Sequence, residues 1–327
     1  MKGTVLVTGA DGFIGSNLVE RLVADGVSVR AFCMYNPQGS WGWLDQSSER
    51  VRRAIDVRLG DIRDAAFVAE ACRGVEAVLH LAALIAIPYS YAAAESFVAT
   101  NITGTLNVLT AARQHGVGRM VHTSTSEVYG TPTELPIRET HPLNAQSPYA
   151  ATKVAADQLA LSFQRSFDTP VTILRPFNTY GPRQSTRAVI PSILTQLLEG
   201  KKEIALGRLD TRRDLTFVGD TVDGFVRAMT APDLDGRTVQ LGTGRAESIG
   251  ELFAIACRVV GVEAQPKLEE RRLRPEASEV MVLQSDPSLA KELLGWQAGV
   301  GLEDGLAQTV EWLRANLSRY RTDYFHV

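Results

Sequence analysis

Tyr149 and Lys153 lie four residues apart in Ser147-Pro148-Tyr149-Ala150-Ala151-Thr152-Lys153. On a helix that spacing puts both side chains on one face. A phenol beside an ammonium makes an acid/base pair: the lysine lowers the phenol's pKa and can also grip a cofactor ribose. The same pair occurs often on solvated helix faces, so its meaning comes from its setting. Upstream runs His122-Thr123-Ser124-Thr125-Ser126-Glu127-Val128-Tyr129-Gly130, a loop that follows an apolar strand. The Thr125 hydroxyl can share a substrate hydroxyl with Tyr149, and loops at the carboxyl ends of parallel strands are where α/β sheets bind ligands.

The second chemical signal is the turn Gly9-Ala10-Asp11-Gly12-Phe13-Ile14-Gly15, which follows the strand-like run Val5-Leu6-Val7-Thr8 and opens an amphipathic helix. Gly9 suits a tight turn, Gly12 a close approach to a pyrophosphate, and Gly15 close helix–strand packing. The free N–H groups of the helix N-terminus then face the phosphates. Phe13 and Ile14 in the turn, Ile62, and Leu81, Ala82 and Ala83 after the fourth strand complete the expected cofactor surface. An acidic residue for the ribose hydroxyls is expected at the end of the second strand, but Cys33 stands there. Arg30, a residue type that favours a 2′-phosphate, reads as pointing elsewhere. NAD is the expected cofactor and NADP the alternative. Asp61 fits either an acceptor for the adenine amine or a helix cap for Arg63 onwards.

Several elements must position these groups. Strand-like runs fall at Thr4–Thr8, Val27–Phe32, Val57–Leu59, Ala77–Leu81, Met120–Thr123 and Val171–Leu174, with helical patterns at Phe13–Ala24, Ala65–Cys72, Ala92–His115 and Pro148–Phe167. Six strands separated by helices imply parallel crossovers and a doubly wound parallel sheet of the Rossmann type. Continuous apolar strands imply that both sheet faces are covered. After about Pro176 short strands (Glu203–Leu206, Thr238–Leu241) mix with helices (Val189–Leu198, Ile249–Val259, Leu302–Asn316). The expected division is a dinucleotide-binding domain over 1–177 and a smaller mixed α/β substrate domain over 178–327, with 211–241 partly returning to the first.

Of the 327 residues 45% are hydrophobic and 22% charged, with a net charge of −3. That supports a large buried core and gives no basic footprint for nucleic acid or a membrane surface. No apolar stretch is long enough to span a bilayer, and the first residues do not read as a secretory signal. Cys33, Cys72 and Cys257 have no metal-ligand spacing and read as reduced thiols, so no metal is expected and a cytoplasmic location is.

Taken together, Gly9/Gly12/Gly15, Asn101 in NITGTLNVL, Thr125, Tyr149, Lys153 and RPFNTYGPR (175–183) resemble the extended short-chain dehydrogenases/reductases, over essentially the whole chain. The later segments RRDLTFVGD (212–220), LGTGRAESIG (241–250) and LRPEASE (273–279) fit as well. The resemblance implies a nucleotide-diphosphate sugar as substrate. It places Asn178 near the sugar or diphosphate and sets Arg213 and Arg274 against the diphosphate. For Arg274 the alternative is an ion pair with Glu276 or Glu279. The segments AFCMYNPQGSWGWLD (31–45), LAALIAIPYSY (81–91) and TRAVIPSI (186–193) resemble the N-acetylglucosamine 4,6-dehydratases of the legionaminic acid type, which adds Arg187 and Val189 to the implied substrate contacts. By this analogy Ala82–Ser90 would lie over the sugar, its small apolar residues suiting an acetamido methyl; a buried strand end is the other reading.

Oxidation at C4 is common to the family, so the residue that selects the outcome is Glu127. A carboxylate two places after the threonine resembles the 4,6-dehydratases, and also the UDP-glucuronate decarboxylases. Glucose 4,6-dehydratases carry Asp where this chain has Ser126. With Ser126, as in the GDP-mannose dehydratases, Glu127 must act as both base and acid. The bland alternative for Glu127 is an exposed loop charge paired with a cation. A decarboxylase would need a cation for the substrate carboxylate, for which Arg183 and Arg187 are candidates. A 4-epimerase is a further alternative, and so is a cofactor-sensing protein, although such proteins typically lose the Tyr/Lys pair. A homodimer formed through Ala92–His115 and Pro148–Phe167 is expected.

Overall fold

Val5, Leu6 and Val7 are fully buried, because the strand they form is covered by helices on both faces. In the computed structural model, which describes residues 3–320, this strand lies inside a seven-stranded sheet, between the strands Val75–His80 and Ser28–Met34. The first six strands are β1 (Thr4–Thr8), β2 (Ser28–Met34), β3 (Ile55–Gly60), β4 (Val75–His80), β5 (Arg119–Thr123) and β6 (Val171–Pro176). Thr238–Leu241 pairs with β6 as the seventh, and the spatial order is Thr238–Leu241, β6, β5, β4, β1, β2, β3. All these pairings are parallel. The chain order reverses between β1 and β4, so their carboxyl ends open a crevice of the kind that holds ligands in such sheets.

Two apolar layers cover the sheet. On one face Leu18, Val19 and Leu22 of helix Phe13–Ala24 pack with helix Val218–Thr230. On the other, Val68, Val108 and Leu109 pack helices Ala65–Cys72 and Gly104–Gln114 onto Leu6, Val78 and Met120. Beyond β6, helices Val189–Leu198, Ile249–Val260 and Leu302–Asn316 pack on one another. Short strand pairs accompany them: Asn178–Tyr180 with Leu215–Phe217, and Glu203–Leu206 with Gln265–Leu268.

The expected continuous helix over 92–115 is instead broken. Ile87–Ala92 and Ala94–Phe97 are short helices, Val98–Thr103 is a π-helical turn, and Gly104–Gln114 resumes the α-helix. The cause is Asn101 within the wide turn. Its amide donates to the Leu84 carbonyl at 2.9 Å and to Thr152 Oγ1 at 3.0 Å, while its oxygen accepts from the Leu84 N–H at 2.8 Å. A π-bulge inserts one extra residue into a helix, and here the amide within it reaches two neighbouring segments. Helix Val218–Thr230, in a region read only as a motif, is a further difference.

Candidate active site

Helix Pro148–Phe167 starts where Ser147 Oγ accepts from the Ala150 N–H at 3.1 Å and Pro148 fills the first position, where no intrahelical donor is needed. Tyr149 and Lys153 therefore project from its first two turns, 7% and 4% exposed. Tyr149 packs edge-on against Phe97, with ring centroids 6.2 Å apart. Opposite lies the segment after β5, where Thr125 N-caps the 3₁₀ turn Ser126–Tyr129, its Oγ1 accepting from the Glu127 N–H at 3.3 Å. Thr125 is also hydrogen-bonded to Tyr149. Thr125 and Tyr149 thus meet, while Lys153 Nζ one turn further along the helix donates to the Thr123 carbonyl.

Their electrostatics differ in one respect from the sequence reading. Burial pushes the Tyr149 phenol above its ordinary value; the Thr125 hydrogen bond opposes this, and the charges of Glu127 and Asp157 add to it. The lowering expected from Lys153 is not among these influences, because the ammonium is drawn to the Thr123 carbonyl. Burial brings Lys153 itself down to about 8, against an opposing pull from Asp157.

Ser126 and Glu127 are 2% and 9% exposed, so Glu127 is not an exposed loop charge. Arg274 Nη1 lies 3.7 Å from Glu127 Oε1 and 3.7 Å from Glu279 Oε1, and Arg213 Nη2 lies 3.3 Å from Glu279 Oε1. Two arginines and two glutamates therefore meet beside the catalytic set, and the ion pair with Glu279 weighed for Arg274 is present. Burial lowers Arg213, with the Glu127 and Glu279 charges opposing and Arg274 reinforcing. Asn178 Oδ1 is buried without a hydrogen-bond partner. Arg187 is exposed and precedes helix Val189–Leu198. Arg183 Nη2 is bonded to Glu20 Oε1 at 2.7 Å on the first helix. Arg274 lies nearest Glu127 and Arg213 also acts on its charge, whereas Arg183 is held by Glu20.

The glycine turn has the shape a dinucleotide needs. Gly9 adopts φ +68°, where a side chain would be strained, and a Cβ there would lie 2.9 Å from the Ala82 backbone. A Cβ on Gly15 would lie 2.0 Å from the Gly9 carbonyl oxygen. Gly12 N-caps the following helix with no side-chain hydrogen bond, leaving the N-terminal N–H groups, with Phe13 and Ile14, to a phosphate. Thr8 Oγ1 accepts from the Leu81 and Ala82 N–H groups, both at 3.1 Å, fixing the chain that runs on to Ala83. A cleft lined by Met34, Tyr35, Leu59, Gly60 and Asp61 lies beyond the ends of β2 and β3 and suits an adenine. Asp61 also binds Arg63 through N–H and guanidinium, while the cap of helix Ala65–Cys72 is Asp64. Arg30 is turned away to Asp56 at 2.8 Å, and Cys33 is fully buried. These residues fit a dinucleotide.

A buried polar group escaped the sequence reading. His122 Nε2 lies 3.2 Å from Asp157 Oδ1, and Arg175 Nη2 donates to Asp157 Oδ2 at 2.8 Å. His80 bridges Thr8 at 2.8 Å and Thr105 at 3.0 Å. The spacing 149/153/157 was the available signal, since it extends the reactive face by one more helical turn. Among the described residues no cluster of His, Cys, Asp and Glu could hold a metal ion, and no helix is long and apolar enough to cross a membrane.

Known proteins match the chain over nearly its full length. The chain is 36% identical to the UDP-glucose 4-epimerase of Mycolicibacterium smegmatis, covering 94% of this chain and 98% of that protein. It is 33% identical to the dTDP-glucose 4,6-dehydratase of an Actinoplanes species, covering 96% and 98%. Among solved structures, the dTDP-glucose 4,6-dehydratase of Streptomyces venezuelae, crystallised with NAD bound, superposes with a TM-score of 0.87 at 31% identity over 97% of this chain and 99% of that one. The model of the GDP-mannose 4,6 dehydratase family matches residues 6–309. With its glycine turn, Tyr149/Lys153 pair and seven parallel strands, the chain belongs to that family of nucleotide-sugar dehydratases and epimerases.

Proposed function

We propose that this enzyme is an NAD-dependent nucleotide-sugar 4,6-dehydratase acting on GDP- or UDP-linked N-acetylglucosamine. The observation that carries the reading is Glu127. It is a buried carboxylate one residue beyond Thr125's neighbour Ser126, and its charge acts on Tyr149. A 4-epimerase moves nothing but the C4 hydrogen and has no use for a second base there. The N-acetylglucosamine assignment rests on the resemblance of segments 31–45, 81–91 and 186–193. Tyr91, in the second of these, is hydrogen-bonded to Ser278 at 2.7 Å, next to the segment that carries Arg274.

Bound NAD supplies acceptance of hydride from C4 and its return at C6. Tyr149 takes the proton of the C4 hydroxyl, which Thr125 shares, and Lys153, one helical turn further on, is placed to hold the cofactor ribose. The resulting ketone acidifies the C5 proton, which Glu127 removes. The Ser126 hydroxyl is too weak an acid to protonate a leaving hydroxyl, so Glu127 passes its proton to the C6 hydroxyl, which leaves as water. The proton held by Tyr149 balances the one that returns to C5 as C6 is reduced. Arg213 and Arg274 meet the diphosphate, and Asn178 meets the sugar.

The test is incubation of purified enzyme with GDP- and UDP-N-acetylglucosamine, UDP- and dTDP-glucose, GDP-mannose and UDP-glucuronate, following product masses. Loss of water from an N-acetylglucosamine derivative is expected. Glu127→Gln should lower dehydration by roughly 10²–10⁴-fold while still forming NADH with substrate. Loss of carbon dioxide from UDP-glucuronate would transfer the function to a decarboxylase, with Arg274 as its cation. Change of configuration without change of mass would make the enzyme an epimerase.

A further inference from the structure

Three consecutive residues from the end of β5 onwards meet three residues spaced by one helical turn. The Thr123 carbonyl accepts from Lys153 Nζ, Ser124 Oγ donates to Asp157 Oδ2 at 2.6 Å, and Thr125 is bonded to Tyr149. Two of these rungs carry chemistry; the third ends on Asp157, which is fully buried. Arg175 of β6 donates to its carboxylate at 2.8 Å, and His122 Nε2 of β5 lies 3.2 Å from its other oxygen. Arg175 in turn donates to the Tyr129 hydroxyl at 2.7 Å, which donates to Gln240 Oε1 at 3.1 Å on the edge strand. A buried carboxylate tied this heavily is costly to assemble and does not touch the substrate cleft.

The groups facing Lys153 show what it does there. His80 of β4 and His122 of β5 are driven towards the neutral form, mainly by burial. Tyr149 and Asp157 come from its own helix, and Arg175 from β6 stands behind Asp157. The carboxylate of Asp157 is the anion that opposes desolvation of the ammonium.

We propose that Asp157, anchored by Arg175, is the positioning residue that aligns residues 123–125 with Tyr149 and keeps Lys153 charged. The proposal rests on Tyr149 and Lys153 being the acid/base pair, a role shared by the dehydratase, decarboxylase and epimerase readings.

The chain has six lysines. NMR of enzyme labelled with [ε-13C]lysine can therefore follow Lys153 directly, its signal assigned by its loss in K153M. The wild-type signal is expected to titrate near about 8. Asp157→Asn removes the anion that raises this value, so the midpoint should fall by about one pH unit or more, and Asp157→Glu should restore it. An unchanged midpoint in folded D157N overturns the proposal. Because that variant strands the Arg175 charge, D157N/R175Q is titrated beside it and is expected to shift the same way. Ser124→Ala breaks the loop rung without altering charge; it should lower kcat about tenfold or more at an unchanged midpoint, and full activity in S124A would remove the alignment half of the proposal. The titration needs no sugar, so it decides the role of Asp157 even if no nucleotide sugar is dehydrated.

Discussion

Burial sets the titration of Lys153 and of the two inner cysteines. Lys153 comes down to about 8 because it is desolvated. Desolvation pushes Cys33 up to about 12, with the charges of Asp11 and Asp45 adding to it, and likewise raises Cys72 to about 12. Cys257, half-buried, is raised too, by burial. Thiolate is the reactive form, so mild alkylation of the folded enzyme at pH 8 should label Cys257 first and leave Cys33 and Cys72 intact until it unfolds. Peptide mass mapping reads this directly; early labelling of Cys33 would mean that the end of β2 is open to solvent. The same dominance of burial marks the limit of the sequence reading at this scale. The residue types and spacing that set Tyr149 and Lys153 on one helix, opposite Thr125, lie close in the chain and were legible. The pairing of Arg274 with Glu127 crosses 147 positions, and that of Arg175 with Asp157 needs the register of β6 against the helix, which no local pattern encodes.

At the scale of elements, the parallel strands could be read because each is a short apolar run between helices. The break in the helix at 98–103 could not, since its cause is an amide reaching sideways to residues 84 and 152. That wiring gives Asn101 a measurable weight. Asn101→Ala removes both partners of the Leu84 backbone and one of Thr152, whose hydroxyl also donates to the Tyr149 carbonyl at 2.7 Å. Stability should fall by ~1–3 kcal/mol. Asn101→Asp keeps the acceptor for the Leu84 N–H but loses both donors and buries a charge, so it should cost at least as much as alanine. Denaturant unfolding of the two variants orders them. If both matched the wild type, the π-turn would be a consequence of packing rather than of the asparagine.

For the whole molecule, the open question is what covers the helices that carry the reactive pair. On the broken helix Val98 is 47% exposed and Leu106 is 38% exposed, with half-buried Ile102 between them at four-residue spacing. The neighbouring helix Pro148–Phe167 exposes Ala151 and ends on Phe167, 45% exposed with the Arg113 guanidinium 3.9 Å above its ring. An apolar stripe beside a helix with small exposed residues lets two copies approach closely about a twofold axis, where the same patch meets itself. The expected state is therefore a homodimer through these two helices. Sedimentation velocity at micromolar concentration should give a dimer, and Leu106→Glu should shift it to monomer, because a twofold contact sets the two introduced charges close together. Since Asn101, Tyr149 and Lys153 lie on the opposite sides of the same helices, the monomeric variant should also lose activity in proportion to the dimer lost. A wild-type monomer would overturn the assignment of this face, and a dimer that survives L106E would move the interface elsewhere on the molecule.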